Sequence, residues 1–186
     1  MAQILVFGDS ITWGAYDLKH GGWVERLKTY FMEKDSNVYN LGISGDTTQG
    51  VVERFDVECG AREPDVLIFA IGINDSHTPE ISFRQFESNI KILMEKAKKA
   101  SKRIAFIGLT PVDEKLVKED NYFNEKIRKY DSKIKELCGK EKILFLEIFD
   151  KLTNADLDDG LHPNSKGHEK IFNAVKDFLI KSRIIS

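Results

Sequence analysis

The chain has 186 residues and 21.3 kDa, the size of one domain, and its 41% hydrophobic and 31% charged residues exclude a disordered chain. Lys plus Arg number 28 and Asp plus Glu 30, and the resulting net charge of −2 leaves no electrostatic footprint for nucleic acid. The first apolar run, Ile4 to Phe7, is too short for a signal peptide and the longest, Val66 to Ile73, too short for a membrane span, so a cytoplasmic location is expected.

In chain order, short apolar runs alternate with longer amphipathic stretches. Ile4-Leu5-Val6-Phe7 predicts a buried strand closed by Gly8. Trp23, Val24, Leu27, Tyr30 and Phe31 recur at helical spacing, and Val38-Tyr39 predicts a short strand. Thr48 to Glu58 predicts a modest helix with Val51, Val52 and Phe55 on one side. Val66 to Ile71 predicts the strongest strand, apolar on both faces as a central parallel strand is.

Ile81 to Ala100 predicts a long helix with the stripe Phe83, Phe86, Ile90, Leu93, Met94, Ala97 and Ala100. Lys91 to Arg103 carries six cations against one Glu, with no interleaved aromatic, and reads as a solvated face. Ile104 to Ile107 predicts the fourth strand, Phe123, Ile127, Tyr130, Ile134 and Leu137 a helix, and Ile143 to Leu146 the fifth strand. Ile171, Phe172, Val175, Phe178 and Leu179 mark the last helix. Five strands alternating with helices predict a parallel sheet covered on both faces, an α/β fold of three layers in a single domain over residues 1–186.

Ligands of such sheets bind at the carboxyl ends of the strands. Four segments there carry chemistry. Gly8-Asp9-Ser10-Ile11-Thr12 presents a serine hydroxyl at the sheet edge, outside a G-x-S-x-G elbow because position 12 is Thr. Gly42 to Thr47 contains glycines that let a backbone N–H approach a bound atom. Asn74, in Gly72-Ile73-Asn74-Asp75, can aim an amide N–H at a developing oxyanion. Asp159 and His162, three apart before a helix, can pair so that one imidazole nitrogen is fixed and the other left as a base. Each segment also has a plain reading as a turn or cap, and Asp9, Asp75, Asp159 and His162 could instead be hard metal ligands. Jointly the four supply a nucleophile, two kinds of oxyanion donor, a base and its orienter, the parts needed for acyl transfer.

The blocks Gly8-Asp9-Ser10, Ser44-Gly45-Asp46-Thr47, Gly72-x-Asn74-Asp75 and Asp159-x-x-His162 resemble, in order, those of the SGNH hydrolase or GDSL esterase/lipase family. Ile11 departs from the family's Leu conservatively. The resemblance implies a flavodoxin-like three-layer α/β/α fold with strand order 2-1-3-4-5 and no metal or organic cofactor. It implies Ser10 as nucleophile, His162 as base and acid, and Asp159 as its orienter. Ser10 and Gly45 N–H and the Asn74 side chain would form the oxyanion hole, with Asp9 and Asp75 as braces.

Among other residues, His77 is a candidate for the pocket mouth, while His20 and His168 read as surface residues. Trp13 and Tyr16 are candidates either for a pocket wall or for core packing, and Cys59 and Cys138 for inert thiols. Leu109 to Asn121 is a long polar connection placed to overhang the site. The expected function is a serine esterase acting on a small-molecule, short-acyl carboxylic ester. A non-catalytic binder on the same fold and a metal-dependent phosphohydrolase are the alternatives.

Overall fold

Strands β1 (Ala2–Gly8), β2 (Ser36–Gly42), β3 (Val66–Ala70), β4 (Arg103–Ile107) and β5 (Leu144–Leu146) form one sheet in the order β2-β1-β3-β4-β5, every neighbouring pair parallel. A computed structural model describes residues 2–101, 103–117 and 122–184. The topology is the one the family resemblance implied. Ile4 to Phe7 and Val66 to Phe69 are fully buried, as strands covered on both faces must be, whereas β5 lies half-exposed at the edge.

The helices are α1 (Ser10–Trp13), α2 (Gly22–Met32), α3 (Thr48–Gly60), α4 (Ile73–His77), α5 (Phe83–Ala100), α6 (Asn124–Glu141) and α7 (Ser165–Lys181). They pack in two groups, α2 against α7, and α5 between α3 and α6. Helix α5 starts at Phe83 rather than Ile81 because Ser82 Oγ accepts from Gln85 N and caps it. Three lysines of its polar face are partnered, Lys91 with Glu87, Lys96 with Asp56 and Lys98 with Glu141, while Lys102 lies outside the described residues.

The floor under the site is aromatic. Phe7, Phe69 and Phe106 occupy one register level across β1, β3 and β4, and their rings stack at centroid distances of 5.5 and 4.7 Å. Phe55 of α3 stacks on Phe7 at 5.5 Å. Such pairs add about 0.5–1.5 kcal/mol each beyond area burial. They lie within a few residues of Ser10 and Asn74, so packing below fixes where those loops leave the sheet.

Candidate active site

Ser10 opens α1 directly after β1. Asp9 caps that helix, its Oδ1 accepting from Ile11 N at 3.0 Å. Gly42 of β2 must be glycine because a Cβ there would stand 2.3 Å from Trp13 N, so α1 can lie against the end of the sheet. Ser10 Oγ lies 2.9 Å from His162 Nε2, and His162 Nδ1 lies 2.8 Å from Asp159 Oδ2. Asp159 Oδ1 accepts from His162 N at 2.8 Å and Leu161 N at 3.0 Å.

Burial raises the pKa of Asp159, but the hydrogen bonds from His162 N, the His162 ring and Leu161 N outweigh it and hold the group at about 2. A carboxylate only accepts, so Nδ1 carries the proton and Nε2 presents a lone pair to Ser10. The stability Asp159 contributes is therefore present above about pH 4 and lost as pH falls through about 2.

The Asn74 amide is held at both ends. Its Nδ2 donates to Asp46 O at 2.8 Å and its Oδ1 accepts from Tyr122 Oη at 3.2 Å. That places the amide beside the Gly45 loop, where Gly45 adopts φ +77°, a conformation that favours glycine. Asp75, buried next to Asn74, accepts from Thr48 N at 3.0 Å and from the Thr48 hydroxyl. Thr48 in turn accepts from Asn89 Nδ2 at 3.0 Å. The loop carrying Gly45 is thus tied to α4 at two points. Arg54 ties it a third time, through Asp46 Oδ2 at 2.8 Å, and also donates to Leu41 O at 2.7 Å.

His77 stacks on Tyr122 at 4.1 Å, behind the Asn74 contact. Trp13 is 59% exposed and Tyr16 49%, so neither packs in the core. With Ile43 and Leu116, which lie on loops, they are half-exposed apolar groups that follow the carboxyl ends of the strands. The cavity beneath Ser10, lined by Asp9, Thr12, Ile73, Leu109, Thr110 and Ile148 among others, measures about 30 Å³. That is room for about one water and too little for a long acyl chain.

Two expectations change. His168 is fully buried rather than on the surface; its Nε2 donates to Ala15 O at 2.9 Å. It lies on the stripe of Ile171, Val175 and Leu179, and that helical spacing was the signal for its burial. Residues 109–117 do not overhang freely. Leu109, Thr110 and Val112 are buried, and Asp113 N donates to Gly160 O at 2.8 Å, bracing the loop that carries Asp159; residues 118–121 lie outside the described residues. The four groups of the metal reading do not converge. Asp9 faces Ile11, Asp75 faces Thr48, and among the described residues no three His, Cys, Asp or Glu side chains are gathered as ligands. Cys59 and Cys138 are buried free thiols, both pushed up to about 12 by burial. Sequence reasoning missed Tyr122 and Arg54 as site residues. Only tertiary contact reveals Tyr122, which stands 48 positions from Asn74.

Burial raises Asp9 to about 7, against the hydrogen bonds of Ile11 and Thr12 N–H. The native state then binds more protons than the unfolded chain between about pH 4 and 7. This group's stabilising effect is full below about pH 4 and lost as pH rises through 7, by up to about 4 kcal/mol. Asp9→Asn keeps an acceptor for Ile11 N and removes the titration. Thermal melts from pH 4 to 8 should show a flatter Tm profile for the variant; parallel profiles would contradict this assignment.

A doubly wound, all-parallel sheet in the order β2-β1-β3-β4-β5, with these loops at its carboxyl edge, is a flavodoxin-like α/β architecture with a ligand site at that edge. The chain belongs to the GDSL-like lipase/acylhydrolase family, whose model matches residues 6–170. Esterase TesA of Pseudomonas aeruginosa is 25% identical over 166 residues, covering 86% of this chain and 79% of that one. The fold is shared with a lipase/acylhydrolase from Enterococcus faecalis, with a TM-score of 0.83 and 21% identity over 98% of this chain and 97% of that one. It is also shared with the acetylxylan esterase Axe2 from Geobacillus stearothermophilus, with a TM-score of 0.79 and 21% identity over 96% and 94%. Among the described residues no helix is long and apolar enough to cross a membrane.

Proposed function

We propose that this acylhydrolase is a serine esterase that cleaves small carboxylic esters through an acyl-enzyme on Ser10. The observation that carries the reading is the continuous chain Ser10 Oγ, His162 Nε2, His162 Nδ1, Asp159 Oδ2, with contacts of 2.9 and 2.8 Å. Two solved catalytic mutants of the acetylxylan esterase replace an Asp and a His three positions apart, the spacing of Asp159 and His162.

His162 Nε2 takes the Ser10 proton as Oγ bonds to the ester carbon. The carbonyl electron pair moves to oxygen, where Ser10 N–H, Gly45 N–H and the second Asn74 N–H receive it. Collapse breaks the C–O bond to the alcohol, which takes the proton from Nε2. Water then repeats the sequence on the acyl group and regenerates Ser10. The cavity beside the nucleophile is too small for a long acyl chain, which supports short acyl groups as substrates.

A panel of aryl esters of increasing acyl length tests this reading. Hydrolysis should be fastest with the short acyl groups and indifferent to chelator, and phosphate monoesters should not turn over. Turnover confined to phosphate esters and abolished by chelator would overturn it.

Asn74→Ala removes one oxyanion donor and should lower kcat by about 10²–10³-fold with KM little changed. Tyr122→Phe keeps the ring stacked on His77 but frees the Asn74 carbonyl end, and should lower kcat by a smaller factor, about tenfold. Equal effects on substrate binding and turnover would place both residues outside transition-state stabilisation.

A further inference from the structure

Tyr16 sits on the bend between α1 and α2 with φ +65°. A left-handed backbone at a bulky residue is strained and persists only where its surroundings over-determine it. Both of its neighbours are pinned. Ala15 N donates to Ser10 O at 3.0 Å, and Ala15 O accepts from the buried His168 Nε2 at 2.9 Å. Asp17, 1% exposed, accepts from Arg26 Nη2 at 2.8 Å and from Gly22 N at 3.3 Å. Arg26 also donates to Ser165 O at 3.1 Å, so α1, α2 and α7 all hold this bend.

The strained backbone delivers the side chain to one place. The Tyr16 ring stacks on the His162 imidazole, with centroids 5.1 Å apart and planes 26° apart. The negative charge of nearby Asp159 pushes the Tyr16 phenol above its usual range.

From the stack and the pinned bend we infer that Tyr16 is a positioning residue for His162. Its ring keeps the imidazole in line between Ser10 and Asp159 and presents a π face to the imidazolium formed as Ser10 attacks. This rests on the serine-esterase reading. A π face attracts the cation far more than the neutral ring, so the contact strengthens on the way to the transition state. Asp159 flanks the imidazole on its own loop and Ser10 faces it from α1. Burial lowers the pKa of His168 behind the bend, and its Nε2 donates to Ala15 O.

The strain supplies its own control. Tyr16→Gly relaxes the left-handed backbone and should leave Tm at or near the wild-type value, so lost activity in that variant is not lost fold. With a short aryl ester, Tyr16→Gly and Tyr16→Leu should lower kcat about tenfold with KM within twofold, and Tyr16→Phe should restore kcat to within about threefold. Wild-type kcat in Tyr16→Gly, or an effect confined to KM, would overturn the inference. Ser10→Ala assayed alongside separates the two layers. An inactive Ser10→Ala with a fully active Tyr16→Gly refutes only the role of Tyr16. An active Ser10→Ala refutes the esterase mechanism and the inference with it.

Discussion

Ser10→Ala is expected to lower kcat for a short aryl ester by at least about 10⁴-fold while leaving KM within a few fold. The substitution removes only Oγ. The backbone N–H of residue 10 stays, as does the Asp9 cap that sets the direction of α1. Asn74 remains clamped between Asp46 and Tyr122. Binding and oxyanion stabilisation should therefore survive, and the small residual rate would be water attack in a preorganised site. Steady-state kinetics with an unchanged melting curve checks this. A loss of less than tenfold would mean that Oγ is not the attacking atom.

Asp159→Asn should lower kcat by about 10⁴-fold, and the reason lies in which way the new amide must face. Oδ1 of Asp159 accepts two backbone N–H groups, from Leu161 and His162. An Asn at 159 has to turn its carbonyl to those donors, which aims its NH₂ at His162 Nδ1. The imidazole then carries its proton on Nε2 and donates toward Ser10 instead of accepting from it. Geometry survives and the proton is on the wrong nitrogen. Raising the pH should recover little, because the fault lies in which nitrogen carries the proton and not in how many protons the ring holds. Full activity in Asp159→Asn, or complete recovery at high pH, would contradict this role.

The sheet was legible because its strands are short apolar runs bounded by polar turns, and Val66 to Phe69 proves buried on both faces. Helices α1 and α4 were not, since four and five residues carry no period to detect. The pairing of Asp159 with His162 could be read because it is local, three residues apart in one turn. The approach of Ser10 to His162 could be anticipated only through loops gathering at one end of the sheet. The Asn74–Tyr122 contact, the Arg54 tie and the Tyr16 stack were illegible, because each joins elements whose spacing is set by packing rather than by pattern. His168 was misjudged by residue type although its helical position marked it as buried. A polar group inside a helix stripe needs a partner, and the Ala15 carbonyl is that partner.

The central claim is that Ser10 is an activated nucleophile. Intact-mass measurement after incubation with a fluorophosphonate, followed by peptide mapping, tests it most directly. The account predicts one adduct per chain, on Ser10, formed at neutral pH in the presence of chelator and absent from Ser10→Ala. No adduct on the folded enzyme, or an adduct that persists in Ser10→Ala, would contradict it.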